Sequence, residues 1–399
     1  MITADEALAK VLEHSYNFPT TSVSLENTIG YELAEAIYAD RDFPPFNRVA
    51  MDGIALLFDN IEKTNATLAI EAIQFAGEAQ KAMQNPLACM EVMTGAVLPL
   101  GCDTVIRYED ISLEEQHGIK VARLTIPFSD IKKGQHIHAK GSDKQAENLL
   151  LQTGIRISPA EIAVLATVGK TTVLVKMPPR VAVISTGDEL VDVSEKPLAH
   201  QIRMSNSYLL ASALLPLGIR ANRFHLTDEP DVLKERLREI LTEHDVILLS
   251  GGVSAGKKDF VPQILRELGV QQLFHKVAQK PGKPFWFGMS AEGKAVFALP
   301  GNPVSTYLCF CKYALPFISG KVSQEEVILD KAITFKPPLT YFVPAMSYFK
   351  AGVHYANPFE GSGSGDFANL TQCDGFVELP ADKSYFEAGE VFKFIRFRS

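Results

Sequence analysis

Basic residues are the minority in this chain. Lys and Arg number 39 against 47 Asp and Glu, a formal charge of −8. That balance excludes a general nucleic-acid binder, whose affinity rests on clustered cations against phosphates, and leaves room only for a local basic pocket. Cysteine is scarce and scattered: Cys89, Cys102, Cys309, Cys311 and Cys373. An odd set without a framework spacing argues against structural disulfides and for a reducing compartment. Cys309-x-Cys311 lies in an apolar stretch expected to be helical, where thiols read as core rather than as a metal or redox pair. The nine His show no HxxxH or mixed Cys/His ligand spacing. His136-x-His138 reads as a surface strand pair. Long apolar runs are missing too. The most apolar stretch, Tyr208 to Leu217, is about half a membrane span. Met1-Ile2-Thr3-Ala4-Asp5-Glu6 is acidic and lacks a basic-then-apolar leader. A cytoplasmic protein with no membrane contact is expected. No repeat of about 20–50 residues is present.

What the chain has is three glycine-bearing loops, each after a short apolar run. Ser185-Thr186-Gly187-Asp188-Glu189 follows Arg180-Val181-Ala182-Val183-Ile184. Ser250-Gly251-Gly252-Val253-Ser254-Ala255-Gly256 follows Asp245-Val246-Ile247-Leu248-Leu249. Leu299-Pro300-Gly301-Asn302-Pro303-Val304-Ser305 follows Ala295-Val296-Phe297-Ala298. Apolar runs that stop at glycine and are followed by helical patterns read as parallel strands of an α/β sheet. Ligands of such sheets bind outside the strands' carboxyl ends. Small residues there let backbone N–H groups approach an anion closely. A phosphate-containing or oxyanion ligand is the expectation.

At 399 residues the chain should divide into about two to four domains. Thr3-x-x-Glu6 is a capping box that opens a first helix. Pro44-Pro45 marks an irregular connector. From Thr67 to about Ala139, β-like runs alternate with turn signals, which reads as a mostly β insertion. Ser158-Pro159-Ala160-Glu161 starts a second helix, expected to complete the domain that the first helix begins. From Pro178 the βα alternation runs on, with helical patterns at Ser205–Leu217, Asp231–Glu243 and near Phe260–Leu268. Beyond about Ser323 the chain returns to short β runs. Gly361-Ser362-Gly363-Ser364-Gly365 reads as a loop.

Among residues able to do chemistry, Asp188 follows Gly187 at a strand end. It suits either a Mg²⁺ ligand bridging phosphate oxygens or the N-cap of a following helix. Asp259 carries the same two readings. Lys280-Pro281-Gly282-Lys283-Pro284 holds two ammonium groups close together, a pattern that favours anion binding. Pro300-Gly301-Asn302-Pro303 places a turn at a helix start, where free N–H groups favour an oxyanion. Asp52, in Ala50-Met51-Asp52-Gly53, and Asp143, in Gly141-Ser142-Asp143, each read alone as turn residues. No nucleophile triad or dyad competes with these groups.

In this order the residues resemble the molybdopterin molybdenumtransferase family, which includes the bacterial enzyme and the E domain of gephyrin. The likeness runs from Pro44-Pro45-Phe46 and Ala50-Met51-Asp52-Gly53, through Met93-Thr94-Gly95-Ala96, Pro99-x-Gly101 and Gly141-x-Asp143. It continues through the three loops, Ser205-Asn206 and the two-lysine turn. The loops from Ser185 onward are shared with smaller molybdopterin-binding proteins; the Met51-Asp52-Gly53 and Thr94-Gly95 segments single out this family.

The resemblance implies an α/β multidomain chain. Residues 1–40 with 147–178 would form a discontinuous N-terminal helical domain and 41–146 a β-rich insertion domain. Residues 179–325 would form the α/β molybdopterin-binding domain and 326–399 a small C-terminal β-barrel. It implies an elongated homodimer with its active site between subunits, where adenylylated molybdopterin is cleaved with Mg²⁺, molybdate enters the dithiolene and AMP leaves. Asp188 and Asp259 would be acidic and metal-site residues. Lys280 and Lys283 would hold phosphate or molybdate. Ser185, Thr186, Gly187, Glu189, Ser250, Gly251, Gly252, Ser254, Gly256, Gly282, Pro300, Gly301, Asn302 and Pro303 would line the pterin and anion site. Asp228 matches an acidic position. Asp52, with Thr94 and Asp143, would face the pocket of the other subunit. An adenylyltransferase that docks to deliver substrate is a further implied partner. Two other readings remain open: a molybdopterin adenylyltransferase, which leaves the first 170 or so residues surplus, and a gephyrin-like scaffold without catalysis. The chain departs from the family pattern at Val49, Ile54, Ser142 and Lys257-Lys258, and in Tyr341-Phe342-Val343-Pro344, where an Arg-containing strand is common.

Overall fold

The computed structural model describes residues 1–14, 18–252, 260–359, 363 and 365–398. The expected site residues Ser254, Gly256 and Asp259, and the Lys257-Lys258 departure, lie outside the described residues, as does most of the Gly361–Gly365 loop. The chain separates into two compact units, one of Met1–Thr21 with Lys176–Ser399 and one of Ser22–Val175.

The first unit opens with α1 (Ala4–Leu12). The expected capping box is formed: the Glu6 N–H donates to Thr3 Oγ1 at 3.2 Å and the Thr3 N–H to Glu6 Oε2 at 2.8 Å. The α/β region then runs β1 (Val181–Thr186), α2 (Asn206–Leu214), β2 (Asn222–Leu226), α3 (Pro230–Glu243), β3 (Val246–Ser250), α4 (Val261–Glu267), β4 (Val270–His275), β5 (Gln279–Lys280), β6 (Trp286–Ser290), β7 (Ala295–Leu299) and α5 (Pro303–Cys309). The sheet order is β2-β1-β3-β7-β6-β4. The three runs read from sequence are parallel neighbours: β1 pairs with β3, and β3 with β7. The hairpin-like pair β4 and β6 extends the sheet in mixed sense, with β6 antiparallel to both β7 and β4.

Burial on both faces explains why these strands read as continuous apolar runs. Val181 and Val183 pack in one core with Leu210 and Leu214 of α2 and Leu308 of α5. Ala182 and Ile184 pack on the other face with Leu233, Leu237 and Ile240 of α3 and Ile264 and Leu265 of α4. The first helix does not complete the domain of residues 147–178, as the sequence suggested. Its Ala4, Ala7 and Val11 lie in the same core as Val181 and Leu210. The capping box and apolar stripe specify a helix with one buried face, but not the surface that covers it.

The C-terminal strands are β8 (Glu325–Leu329), β9 (Thr340–Lys350), β10 (Val353–Pro358), β11 (Gly375–Leu379) and β12 (Val391–Arg396). They pair in the circuit β9-β10-β8-β12-β11 and back to β9, a closed five-stranded barrel. Strand β5 of the α/β region adds to β9 in parallel, matching Lys280 with Tyr341. A buried ion pair also joins the two regions: Lys312 Nζ lies 2.7 Å from Glu378 Oε2. A pair this well shielded from water sets geometry more than net stability, because desolvation offsets much of its attraction.

The second unit is described by itself. Its six-stranded sheet runs Thr104–Arg107, Gly53–Leu56, Cys89–Val92, Thr67–Gln74, Ile119–Leu124 and Ile111–Gln116 in spatial order. Leu33 and Ile37 share a core with Ile157, Leu165, Val173 and Val175, so segments far apart in sequence meet there. All five cysteines are free and buried. Burial pushes the Cys89 and Cys102 thiols up to about 12, which keeps them protonated and inert. Among the described residues, no helix is long and apolar enough to cross a membrane.

Candidate active site

Chain connectivity turns from β1 outward to β2 and then back to β3 and β7. The switch point therefore lies between β1 and β3, where a crevice opens at the strands' carboxyl ends. Three loops leave this rim, after Thr186, Ser250 and Leu299. Backbone proximity explains their glycines. Gly251 has φ +104°, and a Cβ there would stand 2.8 Å from the Thr186 carbonyl oxygen. Only a residue without a side chain lets the first two loops approach this closely.

One side chain ties the loops together from behind. Asn206, at the start of α2, donates through Nδ2 to Ser250 Oγ at 2.7 Å and the Gly301 carbonyl at 2.7 Å, and lies 3.2 Å from Thr306 Oγ1. The orientation of its amide follows from the partners, because the Gly301 carbonyl can only accept. Its Oδ1 is buried with no hydrogen-bond partner among the described residues, as is Thr186 Oγ1.

The lysine turn joins β4 to β6, and its floor is buried. Gln279 Nε2 donates to the Pro281 carbonyl at 3.1 Å and approaches the Gly282 carbonyl at 3.5 Å, while the Tyr313 hydroxyl donates to Gln279 Oε1. Tyr313 belongs to a π-helical segment, Phe310–Ala314, that continues α5. The antiparallel pairing of β4 with β6 and of β6 with β7 brings this turn to the same rim as the glycine loops.

Together these elements enclose a cleft of about 750 Å³. Of the residues expected from sequence, Thr186, Gly187, Glu189, Asp228, Gly251, Gly252, Lys280, Gly282, Lys283, Pro300, Gly301 and Asn302 line it. Ser185 and Ser250 are buried just behind, at the ends of β1 and β3. Pro303 begins α5 and does not contribute to the lining. Asp188 is exposed and does not line the cleft either; its Oδ1 accepts from the Asp228 N–H at 3.2 Å. It sits in a turn before the short strand Leu190–Val191, so it caps no helix. Charge is therefore ordered along the rim: carboxylates follow β1 and β2, glycine loops follow β1, β3 and β7, and ammonium groups lie at the β4–β6 turn.

The rest of the lining was not legible as site in the sequence. Leu339, Tyr341, Phe342, Pro344, Phe359 and Leu370 come from the barrel region and give the cleft an apolar wall.

Asp52, Thr94 and Asp143 lie in the second unit. Asp52 Oδ1 accepts from the Thr94 N–H at 2.6 Å. That backbone bond, with a further bond from the Thr94 side chain, holds the Asp52 carboxyl below its ordinary range. Gly53 must follow it, because a Cβ there would fall 1.9 Å from the Ile106 carbonyl oxygen. Asp143 Oδ1 lies 2.7 Å from His138 Nε2, and His138 Nδ1 lies 2.9 Å from Arg48 Nη2. His138, expected as a surface strand residue, does sit on a strand that pairs with Arg48–Val49; sequence gave no signal of its link to Asp143. The departures Val49 and Ile54 are fully buried in apolar cores, so their altered side chains face packing rather than ligand.

Three family descriptions match the chain in succession: the MoeA N-terminal region (domain I and II) over residues 2–169, the probable molybdopterin binding domain over residues 182–320, and the MoeA C-terminal region (domain IV) over residues 326–397. Molybdopterin molybdenumtransferase of Synechocystis sp. is 37% identical over 397 residues, covering 99% of each chain. The protein of that name from Bacillus subtilis is 31% identical over 411 residues, covering 100% of this chain and 94% of its own. Among solved structures, the molybdopterin biosynthesis MoeA protein from Pyrococcus horikosii superposes with a TM-score of 0.85 at 28% identity, over 100% of both chains. A likeness this complete, through all three matched regions and nearly the whole length of the relatives, makes the chain a member of the molybdopterin molybdenumtransferase family.

Proposed function

We propose that this chain acts in molybdenum cofactor biosynthesis, inserting molybdate into adenylylated molybdopterin with release of AMP. The observation that carries this reading is a cleft in which backbone-lined loops, Lys280 and Lys283, and the carboxylates of Glu189 and Asp228 meet an apolar wall. A pterin nucleotide needs each of these: an apolar surface for flat rings, close backbone for phosphates, and cations for the oxyanion that replaces the nucleotide. An adenylyltransferase or scaffold reading leaves the second unit's Asp52–Thr94 and Asp143–His138 pairs without a use.

The residues also fit Mg²⁺. Among the described residues, no group of three or more His, Cys, Asp or Glu could hold a metal ion. Mg²⁺ does not require one, because it is commonly bound by one or two carboxylates with water and substrate phosphates completing the shell. Asp188 and its neighbour Asp228 would supply those oxygens. When bound, the ion would neutralise charge developing on the cleaved phosphoanhydride. Lys280 and Lys283 orient molybdate and stabilise its charge at the other end of the rim. The glycine loops fix the substrate, and the apolar wall excludes water. The reaction is mainly one of positioning, since the dithiolene sulfurs supply the ligands. In this reading the chain works as a homodimer, and the partner subunit presents its own Asp52-bearing face to the cleft.

The test is turnover of adenylylated molybdopterin by the purified chain with Mg²⁺ and molybdate, following AMP and inserted metal together. Molybdate-dependent AMP release is expected, with at least about a hundredfold loss in Asp188→Ala. Substrate binding without AMP release under molybdate or tungstate would refute the assignment.

A further inference from the structure

The barrel wall does more than close the cleft. Lys280 stands in β5, paired with Tyr341 of β9. Its ammonium lies 5.4 Å from the centre of the Phe335 ring and 5.7 Å from that of Tyr341. The two rings stack on one another, with centres 4.3 Å apart and planes 18° from parallel. Phe335 is anchored in the barrel core, and Tyr341 packs against that core while also lining the cleft. A lysine has a flexible four-carbon stem, and its ammonium would ordinarily sample much of the cleft mouth. Because the rings are stacked, one of them turns its face to an ammonium this close to both centres; that face attracts the ammonium and narrows its range, and the second ring holds the first in place.

We propose that Phe335 and Tyr341 are positioning residues for the anion site: a rigid aromatic pair, supplied by the barrel, that holds the Lys280 ammonium where it meets the oxyanion. This rests on the assignment of Lys280 to molybdate made above. The rings leave the cation's charge intact and do not hydrogen-bond it, so all three N–H donors stay available to an anion. A carboxylate partner would instead neutralise the charge and compete for the donors.

The experiment is a double-mutant cycle on the full chain, read by calorimetric binding of molybdate and by its KM and kcat. Lys280→Met should weaken molybdate binding. Tyr341→Leu and Phe335→Leu should each weaken it by about two- to fivefold, raising KM with kcat nearly unchanged. Tyr341→Phe, which keeps the ring face, should restore the original affinity. In the Lys280→Met background, Tyr341→Leu should have no further effect, because a residue acting only through Lys280 has nothing left to act on. An equal loss with and without Lys280, or no loss with Lys280 present, would overturn the proposal while leaving Lys280 as an anion ligand. Unchanged molybdate binding in Lys280→Met would overturn both the ligand assignment and the clamp built on it.

Discussion

Asn206 offers a quantitative test of how the rim is held. It does not line the cleft, yet its Nδ2 reaches Ser250 Oγ and the Gly301 carbonyl, both at 2.7 Å, and so joins the second loop to the third. Asn206→Ala strands two acceptors, at about 1 kcal/mol or somewhat more each, and removes an unpartnered buried Oδ1 whose loss returns about 1 kcal/mol. The net destabilisation is about 1–2 kcal/mol, or roughly 2–8 °C in Tm for a region of this size. Asn206→Asp is nearly isosteric but replaces the donor with an anion facing a carbonyl, and should cost at least about 4 kcal/mol at neutral pH. The sign with pH is fixed. The introduced carboxyl would have a raised pKa in the folded state, so its penalty is absent in acid and grows as pH rises through that value. Thermal unfolding of the two variants between pH 4 and 8 measures this. If Asn206→Asp is no less stable than Asn206→Ala at neutral pH, the amide does not donate to Gly301 and the account of the rim is wrong.

Two further outcomes follow from geometry. Gly251→Ala places a methyl 2.8 Å from the Thr186 carbonyl oxygen at a φ of +104°, so it should lower stability by about 3 kcal/mol and substrate affinity along with it; unfolding midpoints and nucleotide binding within error of the original would refute the need for close approach. At the opposite ends of the strands, Asp245 is partly buried, yet Arg180 holds its carboxyl down to about 2 through side-chain and backbone bonds, with Lys294 assisting. A depressed carboxyl stabilises the fold above its unfolded value and loses that contribution as pH falls. The Tm gap between Asp245→Asn and the original chain should be full above about pH 4 and close towards pH 2, and a gap independent of pH would exclude the ion pair as its source.

How far the site was legible depends on the range of the interaction concerned. The three loops were visible because strand runs and glycines that permit positive φ or close approach are local signals, and they predicted a shared rim correctly. The role of Lys280 and Lys283 as neighbours at that rim was also local, because one turn contains both. Asp52 and Thr94 were visible only through family likeness. Their hydrogen bond spans 42 residues, and no periodicity encodes such a pairing. Asn206 was noticed as part of a motif without a role, since its partners lie on two other loops. The first helix was identified from its capping box yet assigned to the wrong neighbour, for an apolar stripe does not name what it packs against.

The barrel is the clearest case of function that local pattern hides. Tyr341-Phe342-Val343-Pro344 reads as a strand, but nothing in four residues says that β9 will accept β5 as a parallel neighbour. That pairing is what brings aromatic side chains alongside Lys280 and turns the barrel into a wall of the α/β cleft. Strand order then arranges the chemistry. Carboxylates follow β1 and β2 at one end, backbone loops occupy the middle, and ammonium groups stand at the β4–β6 turn. Because β5 lies between β4 and β6 in the chain and pairs outside their sheet, the lysine end of the cleft is formed by the α/β region and the barrel together. The barrel belongs to the cleft because it completes the strand pairing on which Lys280 stands.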